Sequence, residues 1–266
     1  MPVRLTSVVF QAEDVDALVY YWTSSVDEWR VEAKAGGEVR IVPSEEDGST
    51  LDLTFSPGAP EKSGKNRMHL DLNTWGMHEY QASREALPLI GGRVIDIGQG
   101  ELVPWTVFAD PEGNEFCLLK PRDRYSDAGA IAAIVVDCGD PELLAAFWGA
   151  ATGWDIMESA ADFATLRDPR QPARGPFLEF SRVADRSPAL GRLCLGFESY
   201  WAHQHDADVD RLCELGARVV RRHDGEVSYS VLADPEGNEF RVVIPVWPPP
   251  APERWRYKVD GPALHS

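Results

Sequence analysis

Hydrophobic and polar residues alternate along most of this chain in short runs, and the runs fall into groups. Leu51, Leu53 and Phe55 alternate with Asp52 and Thr54, the period-two pattern of a strand that buries one face. The same reading places strands near residues 6–10, 30–35, 39–42 and 51–55, and then 68–72, 93–97, 105–109 and 116–119. A helix is predicted over 15–24, with Asp14 as N-cap and Leu18, Tyr21 and Trp22 on one face, and a second, less periodic one over 78–87. Further on, a strand at 131–136 precedes a helix that Asp140-Pro141 opens and that runs through Trp148. Strands are then expected near 154–158, 163–167 and 177–182. A last group has strands near 192–197, 218–222, 228–232 and 240–244, with a helix over 208–215 ended by Gly216. The order strand, helix, strand, strand, strand thus occurs four times.

The four groups fall into two halves, because a nine-residue phrase is used twice. Phe108-Ala109-Asp110-Pro111-Glu112-Gly113-Asn114-Glu115-Phe116 returns 124 residues later as Leu232-Ala233-Asp234-Pro235-Glu236-Gly237-Asn238-Glu239-Phe240. A unit this long indicates duplicated domains rather than a solenoid of short repeats. Within the phrase, Asp-Pro-x-Gly is turn chemistry: the aspartate opens the turn, proline presets φ, and glycine reverses the chain. It predicts a tight hairpin between the last two strands of a group. Glu115 and Glu239 enter the final strand, where each is either a pocket carboxylate or one half of an ion pair anchoring the hairpin.

Composition changes the picture in three ways. At 266 residues and 44% hydrophobic, with nine tryptophans, the chain can fill two packed domains. Its formal charge of −17 is spread over both halves, which opposes nucleic acid and anionic membrane as partners and favours cationic or neutral ligands, unless it serves solubility alone. The four cysteines, Cys117, Cys138, Cys194 and Cys213, show no CxxC spacing and read as small buried residues of a reduced, cytoplasmic protein. No signal pattern opens the chain, and no apolar run reaches the ~18 residues a membrane span requires. Phosphate-binding glycine loops and the Gly-x-Ser-x-Gly elbow are likewise missing.

With its unit order, Lys65-Asn66-Arg67-Met68-His69-Leu70-Asp71-Leu72 and the Asp-Pro-Glu-Gly-Asn-Glu-Phe turn, the chain resembles the glyoxalase/bleomycin-resistance/dioxygenase superfamily, also called vicinal oxygen chelate. More narrowly, it is similar to tandem glyoxalase-like domain proteins of high-GC Gram-positive bacteria. The resemblance spans residues 4–245. It implies an α+β fold of two tandem domains, 1–125 and 126–245, each made of two βαβββ modules that form a curved, cup-like mixed sheet with helices outside. A tail follows over 246–266, in which Trp247, Trp255 and Tyr257 are candidates to clasp the other domain.

Enzymes of the superfamily imply a metal triad: a histidine on the first strand of each paired module and a carboxylate on a last strand. Carried over by position, these sites fall near Ser7, His69 and Cys117 in the first domain and near Ala133, Cys194 and Arg241 in the second. Three protein ligands are the usual minimum for a catalytic divalent ion with an open position. The expected cofactor is therefore none, with His69 and Glu115 as a partial set if a divalent metal binds. His203-x-His205 reads as a solvated face rather than a metal pair. Without a metal, the cup suits a planar or hydrophobic ligand, aromatic or cationic, with Trp75, Trp105, Trp201 and Tyr229 as candidate walls. Cys117, Cys194 and Glu239 are further candidate ligand contacts.

Three functions stay open. One is metal-independent binding of a small molecule, in antibiotic resistance or secondary metabolism, by a chain that as a monomer imitates the dimer of single-domain relatives or that forms a homodimer. Another is a lyase, isomerase or cyclase in which His69 acts as general acid/base and Glu115 orients it. The last is a non-catalytic interaction scaffold.

Overall fold

The computed structural model describes residues 2–26, 29–100, 102–171, 175–184 and 191–245, so the expectations for Trp247, Trp255, Tyr257 and the tail lie outside the described residues. Four modules follow in chain order. The first holds β1 (Arg4–Ala12), α1 (Val15–Ser25), β2 (Arg30–Ala35), β3 (Glu38–Val42) and β4 (Asp52–Pro57). The second holds β5 (Met68–Leu72), α2 (Met77–Ala86), β6 (Arg93–Val94), β7 (Trp105–Ala109) and β8 (Glu115–Leu119). The third holds β9 (Ile131–Cys138), α3 (Pro141–Thr152), β10 (Asp155–Ser159), β11 (Phe163–Arg167) and β12 (Phe177–Arg182). The fourth holds β13 (Leu193–Glu198), α4 (His205–Glu214), β14 (Arg218–His223), β15 (Tyr229–Ala233) and β16 (Glu239–Val243). No helix among the described residues is long and apolar enough to cross a membrane.

Local signals account for the helix ends. Asp14 and Asp140 are N-caps whose carboxylates accept from Ala17 N and Leu143 N, with Pro141 at the first turn of α3. Gly216, just past α4, takes φ 116°, the left-handed region that ends helices and that glycine enters without strain. β6 is shorter than the 93–97 expected, because Asp96 and Gln99 side chains accept from the backbone N–H groups of Gly98 and Ile97 and turn the chain away.

The α+β class, with two eight-stranded mixed sheets, is as expected, but the modules are shared between the sheets differently. One sheet runs β14-β15-β16-β13-β1-β4-β3-β2 and the other β10-β11-β12-β9-β5-β8-β7-β6. The first and fourth modules thus build one sheet (sheet A), and the second and third build the other (sheet B). Antiparallel pairing of first strands joins them, β1 with β13 and β5 with β9. This corrects the expectation that each sequential domain closes its own sheet. The physical reason is that alternation fixes which face of a strand is buried but not which strand lies beside it.

What ties the two modules of each sequential half together is the repeated phrase. Asp110 accepts from the N–H groups of Glu112 and Asn114 at 3.0 and 2.9 Å, closing the turn, and its other oxygen accepts from Trp22 Nε1 at 3.3 Å. The Glu112 carboxylate accepts from Glu13 N and Asp14 N at 2.9 and 2.7 Å, just before α1. In the second copy Asp234 closes the same turn, and Glu236 accepts from Gly139 N and Asp140 N at 2.8 and 2.6 Å, before α3. Each hairpin therefore staples its own sheet to a helix packed on the other. Core aromatics bridge the same gap. Trp22 of α1 lies 5.1 Å from Phe10 in sheet A and 5.2 Å from Phe116 in sheet B, while Trp148 of α3 stacks on Phe197 at 4.9 Å. These residues share one buried core with the helix-facing side chains of both sheets.

Candidate functional site

On β16, alternation sends Phe240 into that core and turns Glu239 and Arg241 to the face of sheet A away from the helices. Arg241 pairs across the sheet with Val231 and Gly196, and Gly196 with Ser7, so this row runs from β14 to β1. A cavity of about 330 Å³ opens here, between sheet A and the segment 60–68. Gln11, Cys194, Glu239, Arg221 and Arg241 line its sheet side, and Met68 and Val136 line the opposite wall. Arg241 is 5% exposed and firmly held. Its Nη1 donates to Glu38 at 2.6 Å, its Nη2 to Ser56 at 3.2 Å, and the guanidinium lies 4.6 Å from the Tyr229 ring centroid. Arg221 donates to Glu239 at 2.8 Å. Burial pushes the Cys194 thiol up to about 11 against the opposing pull of Arg241, so it is neutral at physiological pH and no nucleophile.

The matching face of sheet B is built differently. His69 and Asp71 alternate on β5, so both point to the same side. Across the sheet His69 faces Val135 and then Glu179, and Asp71 faces Ala133 on one side and Cys117 on the other. His69, Asp71 and Cys117 bring their ligand atoms within 4.8 Å of one another, with His69 Nε2 3.5 Å from Asp71. Val107, Leu119, Ala133, Val135 and Phe177 surround them as a second buried cluster. The segment joining the two halves roofs this face. Tyr125 packs edge-on against Phe177 and donates to Glu179 at 3.0 Å, while Arg124 donates to Glu179 at 3.2 Å and to Thr165 at 2.6 Å. Burial, reinforced by the Asp71 charge, raises Glu179 to about 7, so this carboxyl titrates near neutrality. Burial and the adjacent Asp71 carboxylate also push the Cys117 thiol far up, which keeps it protonated unless a cation displaces the proton.

The two faces differ in their fit to the divalent ion that the superfamily's enzymes imply. On sheet B an imidazole, a carboxylate and a thiol converge. His69 Nδ1 and Asp71 Oδ1 are buried without a hydrogen-bond partner among the described residues, so the set fits a thiophilic ion. On sheet A the corresponding residues are Ser7, Cys194 and Arg241, and a guanidinium has no lone pair to offer. That set does not fit.

Each candidate from the sequence now has a place. His69 and Glu115 both lie on sheet B, but the Glu115 carboxylate is taken by Lys62 Nζ at 2.9 Å and the Asn66 N–H at 3.0 Å; the carboxylate beside His69 is Asp71. Cys117 and half-buried Trp105 belong to the sheet B cluster, and Arg122 lies over the Trp105 ring. Cys194 and Glu239 line the cavity, and Tyr229 stacks on His223 beneath Arg241. Trp75 and Trp201 are exposed and neither lines the cavity. His203 is exposed, whereas His205 is buried with Nε2 2.9 Å from Ser230 Oγ, and burial lowers its pKa; the expected solvated pair is split between surface and core.

Asp71, Glu179, Arg124 and Tyr125 escaped the sequence reading. The spacing His69-x-Asp71 on a strand was the available signal for the first. Glu179 carries no motif, and only the pairing of the second module with the third reveals it.

The comparisons with known proteins agree with this architecture. A family model described as "Glyoxalase-like domain" matches residues 7–119 and again 133–243. Glyoxalase I from Zea mays is 16% identical, with a TM-score of 0.63 over 91% of this chain and 92% of that one. A mutant of the same Zea mays enzyme is 17% identical, with a TM-score of 0.65 over 91% of this chain and 93% of that one. A putative dioxygenase from Bacillus subtilis is 12% identical, with a TM-score of 0.58 over 91% of this chain and 84% of that one. At such identities the likeness shows the fold alone. No curated protein sequence matches the chain.

Proposed function

The chain belongs to the glyoxalase-like domain family, in two tandem copies, and from that premise we propose that it binds a small molecule in the cavity over sheet A without the help of a metal. The observation that carries this reading is the cavity itself. It is concave and lined mainly by polar and charged side chains held in fixed ion pairs, with Met68, Val136, Leu193 and Val231 as an apolar patch, so it offers both orienting and apolar contacts to a small molecule. Ser7, Cys194 and Arg241 leave no ligand set for a divalent ion beside it. One chain supplies both modules of the sheet, so a monomer holds a complete pocket. Roles in resistance to an antibiotic or in secondary metabolism are both compatible with such a binder.

A thermal-shift screen of small metabolites and antibiotics tests the proposal. Hits should raise the Tm of the wild-type protein in the presence of EDTA, and should lose that effect in Gln11→Trp, which fills the cavity from a half-buried strand position. Hits that stabilise the variant equally would remove the cavity from consideration.

A second reading, a lyase or isomerase with His69 as acid/base, is favoured by the cluster on sheet B. In that reading Asp71, not Glu115, orients His69, and Arg124 and Tyr125 exclude water. A divalent cation held by His69, Asp71 and Cys117 would there polarise a substrate oxygen. Cobalt(II) titration decides whether the set binds metal: a thiolate-to-cobalt absorption band lost in Cys117→Ser supports it, and no band in the wild-type protein sinks it.

A further inference from the structure

We infer that the molecule taken by the sheet A cavity is a small organic oxyanion (a carboxylate, sulfonate or phosphate group on an apolar body). This rests on the reading of that cavity as the binding site and adds the ligand's chemistry. The chain as a whole is strongly acidic, at −17, yet the charged side chains lining the cavity are mostly basic: five are basic (Lys62, Arg67, Arg192, Arg221 and Arg241) and two are acidic. Of the two acids, Glu239 is answered by Arg221, and Glu61 is exposed at the rim. The carboxylates that hold Arg241, Lys62 and Arg192 do not line the cavity. Glu38 holds Arg241, Glu115 holds Lys62, and Glu13 and Glu112 hold Arg192.

Two guanidinium groups have donors to spare. A guanidinium offers five N–H groups. Among the described residues Arg241 makes two hydrogen bonds, to Glu38 and Ser56, and Arg221 makes one, to Glu239. Arg241 is also fixed in orientation by the Tyr229 ring beneath it, so the N–H groups it has left are offered at a reduced entropic cost at binding. The Cys194 thiol, neutral at physiological pH, does not offset them. Met68, Val136, Leu193 and Val231 supply the apolar walls for the body of the ligand. The acidic exterior does not cancel this preference. At physiological ionic strength charges are screened over about 8 Å, so groups inside the cavity outweigh a diffuse surface field.

The test uses two fluorescent probes of like shape on the full chain: 1-anilinonaphthalene-8-sulfonate, an aryl oxyanion, and N-phenyl-1-naphthylamine, its uncharged analogue. Arg221→Gln alters a half-exposed side chain and leaves the core alone. It should weaken binding of the sulfonate about tenfold, the loss expected for one charge-assisted contact, and change binding of the neutral probe less than twofold. The double variant Glu38→Gln/Arg241→Gln, which leaves no buried carboxylate stranded, should weaken the sulfonate further. Equal effects on both probes would overturn the oxyanion inference while leaving the cavity in place. Gln11→Trp separates the two claims: it should abolish binding of both probes, and if both still bind, the cavity itself is wrong.

Discussion

The two sheets share a topology but treat their free faces in opposite ways. On sheet B the face is roofed by the segment that joins the halves and holds an imidazole, two carboxyl groups and a thiol among apolar side chains. On sheet A the face opens onto a cavity walled by arginines, two of which, Arg192 and Arg241, have acid partners outside its lining. One duplicated framework thus carries a closed, acidic, histidine-containing site and an open, basic one. Divergence of this kind needs no change in the core, because helix-facing and free-facing residues alternate on every strand and vary independently.

The largest expected effect breaks the roof. Tyr125 is 4% exposed, packs on Phe177 and hydrogen-bonds Glu179. Tyr125→Ala should cost about 3–5 kcal/mol, the range for removing a buried aromatic. Its counterpart in the comparison, Tyr229→Ala on the open face, should cost only about 1 kcal/mol, since Tyr229 is half-buried and stacks on a surface histidine. Urea unfolding of both variants measures the contrast. Similar losses would mean that the joining segment does not close sheet B.

A second prediction sharpens the comparison through pH. Glu179 is raised from 4.5 to about 7 in the folded protein, so between those values the folded state holds a proton that the unfolded chain has released. The stability this contributes is present below about pH 4.5 and is lost as pH rises through 7. Glu179→Gln keeps an acceptor for Tyr125 but cannot ionise. The wild-type protein should therefore lose on the order of 2–3 kcal/mol relative to the variant between pH 4.5 and 8. Parallel stability profiles for the two proteins would show that the carboxyl is ionised throughout, held by Arg124. No such pH-dependent gap is expected from a substitution on sheet A's free face.

The sequence revealed the elements more readily than their partners. The four-module order and the duplicated hairpin were legible because alternation, N-caps and Asp-Pro-x-Gly turns are local signals, and residues such as Asp14, Asp140 and Gly216 act within a few positions of themselves. The pairing of β5 with β9 rather than within a sequential half was not legible, since it depends on tertiary packing. The error in sheet composition propagated to the site. With the second and third modules apart, nothing places Glu179 near His69; Asp71, which lies beside His69 while Lys62 engages Glu115, is marked only by the local His69-x-Asp71 spacing. Cys194 and Glu239, candidates from their strand positions in the repeat, line the sheet A cavity.

The smallest effect concerns the phrase that both halves keep. Glu236→Ala removes a carboxylate that accepts from Gly139 N and Asp140 N, and losing such a contact just before a helix should cost about 1 kcal/mol. Glu112→Ala removes the same contact from α1 but also strips a partner from Arg192, whose side chain is 2% exposed and which retains Glu13. A buried charge that loses one of its two acids is destabilising in its own right, so Glu112→Ala should cost about 1 kcal/mol beyond the loss of its backbone contacts. Arg192 also lines the sheet A cavity, and its loosening should weaken ligand binding in Glu112→Ala but not in Glu236→Ala. Identical unfolding midpoints and identical affinities for the two variants would mean that the copies are equivalent staples. The first hairpin would then stabilise the fold without any link to the open site.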